Sequence, residues 1–96
     1  MTRLVKRPEG RIDMDTAAGL TGWLDTEAAP GDVIDVDMSA ISDADSAAIA
    51  LLLEWQRRLS LRSVTLQVSG MPTGLMALTR LYGLEGVFLA TGEPQA

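Results

Sequence analysis

The carboxylates and hydroxyls between Asp13 and Ser46 are the residues of this chain that could do chemistry. Asp35 and Asp37 flank Val36, and Asp45 stands directly before Ser46. Paired carboxylates suggest a metal site or an acid–base pair. A hydroxyl beside a carboxylate suggests a helix cap, a phosphorylation site or a contact point for another protein. The chain contains no histidine and no cysteine. The usual general base near neutral pH is therefore missing, and so are the thiolate nucleophile and the commonest transition-metal ligands. No third acidic ligand stands at a recognised metal spacing, and no Gly-rich phosphate loop is present. We expect no catalytic residue, no metal and no cofactor.

The 96 residues and 47% hydrophobic content fit one globular domain with a single core. The longest strictly apolar run, Ala47 to Leu53, is far shorter than the roughly 20 residues that cross a bilayer. The opening MTRLVKRPEGRID has no apolar h-region, so a cytosolic location is expected rather than secretion. The net charge of -5 argues against nucleic acid. The charges are segregated. Arg3, Lys6, Arg7 and Arg11 are half of the eight cations, whereas nine acids and no cation lie between Ile12 and Asp45. Such a block is either a solvated face or a surface for a basic partner.

These groups must be held by regular elements. Arg3 to Lys6 suits a short strand stopped by Pro8 and Gly10, with RIDM returning as a hairpin arm. In AAGLTGWLDTEA, the positions Ala17, Leu20, Trp23 and Leu24 have helical spacing, which Gly19 and Gly22 weaken. DVIDVDM alternates, with Ile34, Val36 and Met38 on one face and Asp35 and Asp37 on the other. From Asp45 to about Ser60 a helix carries Ala48, Leu52, Trp55 and Leu59 as its core stripe. SVTLQV is a strand with Val64, Leu66 and Val68 inward. A last helix follows Pro72, with Met71, Leu75, Leu78 and Tyr82 as its stripe and Gly83 after its end. VFLA reads as a short strand or docking segment, and residues 91–96 as a frayed tail. The alternation predicts an α/β fold: a small mixed β-sheet with helices packed against it, parallel in its second half.

Ser42 and Asp45 fit a capping pattern, and Asp45 can itself be the N-cap. The exposed side of the same helix then holds Ser46, Ala47, Ala50, Leu53, Glu54 and Arg57. A solvated face has no need of two alanines and a leucine; a partner does. Asp13, Asp37 and Asp45 are expected at one end of the sheet, the first two as an acidic rim.

VIDVDMSAISDADSAAIALLL resembles the signature of STAS domains, with Asp37-Met38-Ser39 and Asp45-Ser46 in matching order, and EGRIDMDTAAGL resembles the family's earlier loop, with Asp13 in the acidic position. SAAIALLLEWQRR and MPTGLMALTRLYGLEGVF are similar to the MlaB branch, the STAS subunits of phospholipid-transport ABC systems. That resemblance implies a non-catalytic subunit that binds the transporter's ATPase and supports its assembly or activity. It would lie at the cytoplasmic face of the inner membrane, peripheral through its partners. The antagonist branch of the same family implies an alternative: an anti-sigma-factor antagonist whose Ser46 is phosphorylated by a partner Ser/Thr kinase.

The missing histidine, cysteine and phosphate loop give the first prediction. The purified chain hydrolyses nothing and binds no nucleotide tightly; micromolar binding of magnesium-ATP in isothermal titration would refute this.

Overall fold

The computed structural model describes residues 2–24 and 28–88. Five strands and four helices follow one another: β1 Arg3–Lys6, β2 Gly10–Ile12, α1 Met14–Ala17, β3 Val33–Asp37, β4 Ile41–Ala44, α2 Ser46–Leu61, β5 Thr65–Ser69, α3 Thr73–Leu81 and α4 Glu85–Phe88. A 3-10 turn, Ala18–Leu20, continues α1. This is the expected α/β architecture.

β3 is the central strand of a three-stranded sheet, flanked in parallel by β1 and β5. Its alternation works as read. Ile34 and Val36 are buried, and register places Ile34 between Leu4 and Leu66 and aligns Val36 with Val68. α2 packs on β5 and α3 on α2, which closes the core over this face. The helical stripe of α2 is also as predicted, because Ala48, Leu52, Trp55 and Leu59 are all fully buried; Ile49 and Leu51 join them.

Four expectations need correction. RIDM is not a hairpin arm of β1. Gly10–Ile12 pairs in parallel with β4, a four-residue strand that the periodicity does not reveal. The helix expected in AAGLTGWLDTEA ends at Ala17 and continues as a 3-10 turn, consistent with glycines at 19 and 22. Within that segment, residues 25–27 lie outside the described ones. In the stripe of α3, Met71, Leu75 and Leu78 pack on the core as expected, but Tyr82 is exposed and Thr79 is buried instead. Buried Thr79 is satisfied because its hydroxyl donates to the Leu75 carbonyl at 2.9 Å. VFLA is not a strand; Val87 and Phe88 close the short helix α4, and Leu89, Ala90 and the 91–96 tail lie outside the described residues.

One glycine is required by geometry. Gly70 adopts φ +66, and a Cβ there would stand 2.8 Å from Asp37 Oδ1 and 3.0 Å from Ser39 N. The turn after β5 thus fits closely against the turn after β3.

A partly buried polar contact ties the turn after α1 to α2. Trp55 Nε1 donates to the Leu20 carbonyl at 2.8 Å, and Trp23 lies against the same indole with ring centroids 5.7 Å apart. Trp55→Phe keeps most of the buried area but removes the donor. We predict a loss of about 1–2 kcal/mol in urea unfolding, with faster amide exchange concentrated in residues 14–20. Unchanged exchange in that segment would show that the bond does not hold it.

Candidate functional site

Both helices that border the site begin at an aspartate, and both aspartates sit at the ends of paired strands. Ile12 is in register with Ala44, and the Asp45 amide donates to the Ile12 carbonyl at 3.3 Å. Asp13 caps α1: its carboxylate accepts from the amides of Asp15 and Thr16 at 2.9 and 3.2 Å, while its own amide donates to Thr16 Oγ1 at 2.9 Å. Asp45 caps α2 by accepting from the Ala47 amide at 2.8 Å. The cap reading of Asp45 therefore holds; Ser42 lies exposed in β4. The capping function falls to Asp45, and Ser46 is left as the exposed first residue of a 16-residue helix.

Starting side by side, α1 and α2 enclose a groove of about 270 Å³. Ala47, Ala50, Leu51 and Glu54 form the α2 wall. Met14, Ala17, Ala18 and Thr21 form the other. Three of the residues proposed from sequence, Ala47, Ala50 and Glu54, thus meet in one concave feature. Ser46, Ala50, Leu53 and Arg57 form the adjoining outer stripe, all exposed. Leu53 retains 38% exposure, and Met14 at the groove wall retains 82%.

The α1 wall was not evident from sequence. The available signal was the spacing of Met14, Ala17, Ala18 and Thr21, which repeats that of 47, 50, 51 and 54. Leu20, Trp23 and Leu24 drew the stripe toward the core side instead, and Leu24 is indeed buried there.

The charges arrange themselves differently from a simple acidic rim. Arg11 Nε lies 2.6 Å from Asp13 Oδ2, and Arg7 Nη2 lies 2.9 Å from Asp37 Oδ2. Arg3 likewise meets Asp35 at 2.7 Å, and Ser69 Oγ donates to Asp35 at 3.0 Å. The rim acids Asp13 and Asp37 are therefore already matched by the chain's own arginines. Asp37 serves a turn: Ser39, through its hydroxyl and its backbone amide, and then Arg7 hold its carboxyl below the usual range. By contrast, Asp15 in α1 and Asp43 and Asp45 before α2 have no cation at ion-pair distance among the described residues.

Glu54 forms a clamp within α2. It accepts from Arg57 Nε and Nη2 at 3.0 and 2.8 Å, and from Arg58 Nε at 2.7 Å. Arg57 and Arg58 together lower its pKa from 4.5 to about 2. At Arg62, Nη2 donates to the Ala28 carbonyl at 2.7 Å, so this residue fastens the far end of the helix. Among the described residues no group of three acidic side chains could hold a metal ion, and no helix is long and apolar enough to cross a membrane.

The lowered pKa of Glu54 has a definite sign. Its contribution to stability is fully present above pH 4.5 and is lost as pH falls through about 2. Acid unfolding of the wild type should therefore show a stability decline between these values that Glu54→Gln reduces. Identical pH slopes for both chains would remove the clamp from the list of stabilising contacts.

The fold occurs in solved structures. The crystal structure of a sulfate transporter family protein from Wolinella succinogenes aligns with a TM-score of 0.70 at 21% identity, covering 88% of this chain and 69% of that one. The anti-sigma factor antagonist SpoIIAA in its unphosphorylated form aligns with a TM-score of 0.66 at 18% identity, covering 96% of this chain and 83% of that one. No curated protein matches the sequence. The family described as "Mlab, STAS domain" matches residues 7–91. With that match spanning most of the chain, and with the same fold in two solved structures, this protein belongs to the MlaB-type STAS domain family.

Proposed function

We propose that the chain is a non-catalytic accessory subunit that binds the ATPase of an Mla-type phospholipid ABC transporter and supports its assembly or activity. In this reading it acts at the cytoplasmic face of the inner membrane, and only through its partners. The observation that carries the proposal is the uncovered outer face of α2 between Ser46 and Arg57. Ser46, Ala50, Leu53 and Arg57 face outward, and the groove lies beside them. Small residues permit close approach of another backbone, and a half-exposed leucine at the centre supplies an apolar anchor. The family match supports the transporter as the setting. Nothing in the carboxylate geometry asks for a reaction. Asp13 and Asp45 cap helices, Asp35 and Asp37 pair with arginines, and Glu54 is clamped.

A second reading draws on Ser46. Its exposure at the start of α2, together with the fold shared with SpoIIAA, supports an antagonist that a Ser/Thr kinase phosphorylates. Both readings use the same helix terminus, so one pull-down from native membranes separates them by partner.

Leu53→Asp should reduce co-purification of the ATPase subunit at least about tenfold, a loss of roughly 1.4 kcal/mol. Leu81→Asp, the same change at a more exposed leucine on α3, serves as the control and should co-purify as wild type. Arg62→Ala is a poorer control than its distance suggests, since it frees the Ala28 carbonyl. Normal folding of Leu53→Asp with wild-type recovery of the ATPase would refute this interface. Recovery of a kinase with phosphate on Ser46 would favour the second reading.

A further inference from the structure

The two walls of the groove have the same spacing. Residues 14, 17, 18 and 21 repeat the i, i+3, i+4, i+7 pattern of 47, 50, 51 and 54. Each stripe covers two helical turns, about 10 Å in length. Alanines on both walls keep the floor shallow and accessible. The lining offers little to a small polar ligand. Its polar side chains are Thr21, whose hydroxyl donates to the Ala18 carbonyl at 3.4 Å, and Glu54, already held by Arg57 and Arg58. Ligand pockets normally converge several free polar groups on one point; this groove has apolar walls and charged ends.

The charge at those ends is one-sided. Asp15 follows Met14 on one wall, and Asp43 and Asp45 precede Ala47 on the other. These three make no ion pair among the described residues, and neither do Glu9 and Asp32, while Arg3 and Arg7 match the two acids of β3. Three acids without a cation partner among the described residues therefore stand within four residues of Met14 or Ala47, at the starts of the two walls. A second copy of this chain is a poor visitor. It carries the same net charge of -5, and the arginines of its own α2 face, Arg57 and Arg58, are bound to Glu54.

We propose that the groove between α1 and α2 seats an amphipathic helix of the partner protein, about two turns of it. Its apolar side chains would be spaced i, i+3 or i+4, i+7, with Lys or Arg beside them facing Asp15, Asp43 and Asp45. This deepens the accessory-subunit reading and rests on it for the partner's identity. The contact is a helix laid in a groove, held by apolar anchors and selected by charge. Behind the α1 wall, Trp55 bonds the Leu20 carbonyl of the 3-10 turn that continues it.

The test uses two synthetic helical peptides of about 14 residues, four turns, with leucines in the same register. One is flanked by lysines, the other by glutamates. Each is titrated into the isotopically labelled chain, and amide shifts are followed by NMR. The lysine peptide should shift the amides of Met14, Ala17, Ala18, Ala47 and Ala50. The glutamate peptide should bind at least about tenfold more weakly. Ala18→Phe fills the groove from the α1 wall and should abolish the shifts. Asp15→Lys, at an exposed position, should weaken the lysine peptide and strengthen the other, which keeps the test valid if Ala18→Phe fails to fold. The proposal is overturned if neither peptide shifts these amides, if both bind equally, or if Ala18→Phe binds as wild type. It is also overturned if sedimentation shows a dimer that Ala18→Phe disperses. Failure here is distinguishable from failure of the transporter reading. A seated lysine peptide without ATPase recovery retires only the ATPase. Full ATPase recovery by Ala18→Phe retires only the groove.

Discussion

The parallel pairing of β2 with β4 is the constraint on which the site depends. It is a short contact, three residues against four, with an irregular register after Gly10. Yet it brings the ends of both strands together, and each strand is followed by an aspartate that caps a helix at once. An N-cap fixes the direction in which a helix leaves its strand, because the side chain must reach the amides of the first turn. Two such caps on neighbouring strands launch α1 and α2 side by side. The groove is the space left between them. Trp55 then ties the first wall to α2, since its buried indole donates to the Leu20 carbonyl.

The same parallel topology changes the meaning of the charge segregation. Read along the chain, four cations precede a long acidic block. Register between β1 and β3 folds the block back on the cations, and Arg3 and Arg7 cover Asp35 and Asp37. Each such surface pair contributes little to stability, about 0–1 kcal/mol. Their larger effect is on the field. With the acids of β3 neutralised, Asp15, Asp43 and Asp45 at the starts of α1 and α2 are among the acids that keep an unmatched charge among the described residues, and such charge can steer a partner.

What the sequence revealed follows from how local each signal is. β3, β5 and α2 are legible because their period is set by one core, and Ile34, Val36, Leu66 and Val68 alternate while Ala48, Leu52, Trp55 and Leu59 recur helically. β4 was hidden because ISDA has only one buried residue in four and so shows no period. β2 was assigned to the nearest strand in sequence, whereas the actual partner lies about thirty residues away and leaves no local trace. The site divides in the same way. The α2 half could be read from alanines and a leucine opposite a core stripe. The α1 half became visible only when the pairing of β2 and β4 placed Met14, Ala17 and Ala18 opposite them.

The position of Ser46 links the two functional readings physically. As the first residue of α2 it lies at the positive end of a long helix, which favours an added phosphate. It also stands beside Asp45 and near Asp43, neither of which has a cation partner among the described residues, and these oppose the same phosphate. A phosphate would add to the charge that already marks the mouth of the groove. It would strengthen attraction for a cationic helix at a distance while crowding the outer stripe of Ala50 and Leu53 on contact. A partner that meets the groove through its α1 wall would feel mainly the first effect. One that lies across Ser46 itself would feel mainly the second. The response of binding to charge at Ser46 is therefore a measure of where across α2 the partner sits.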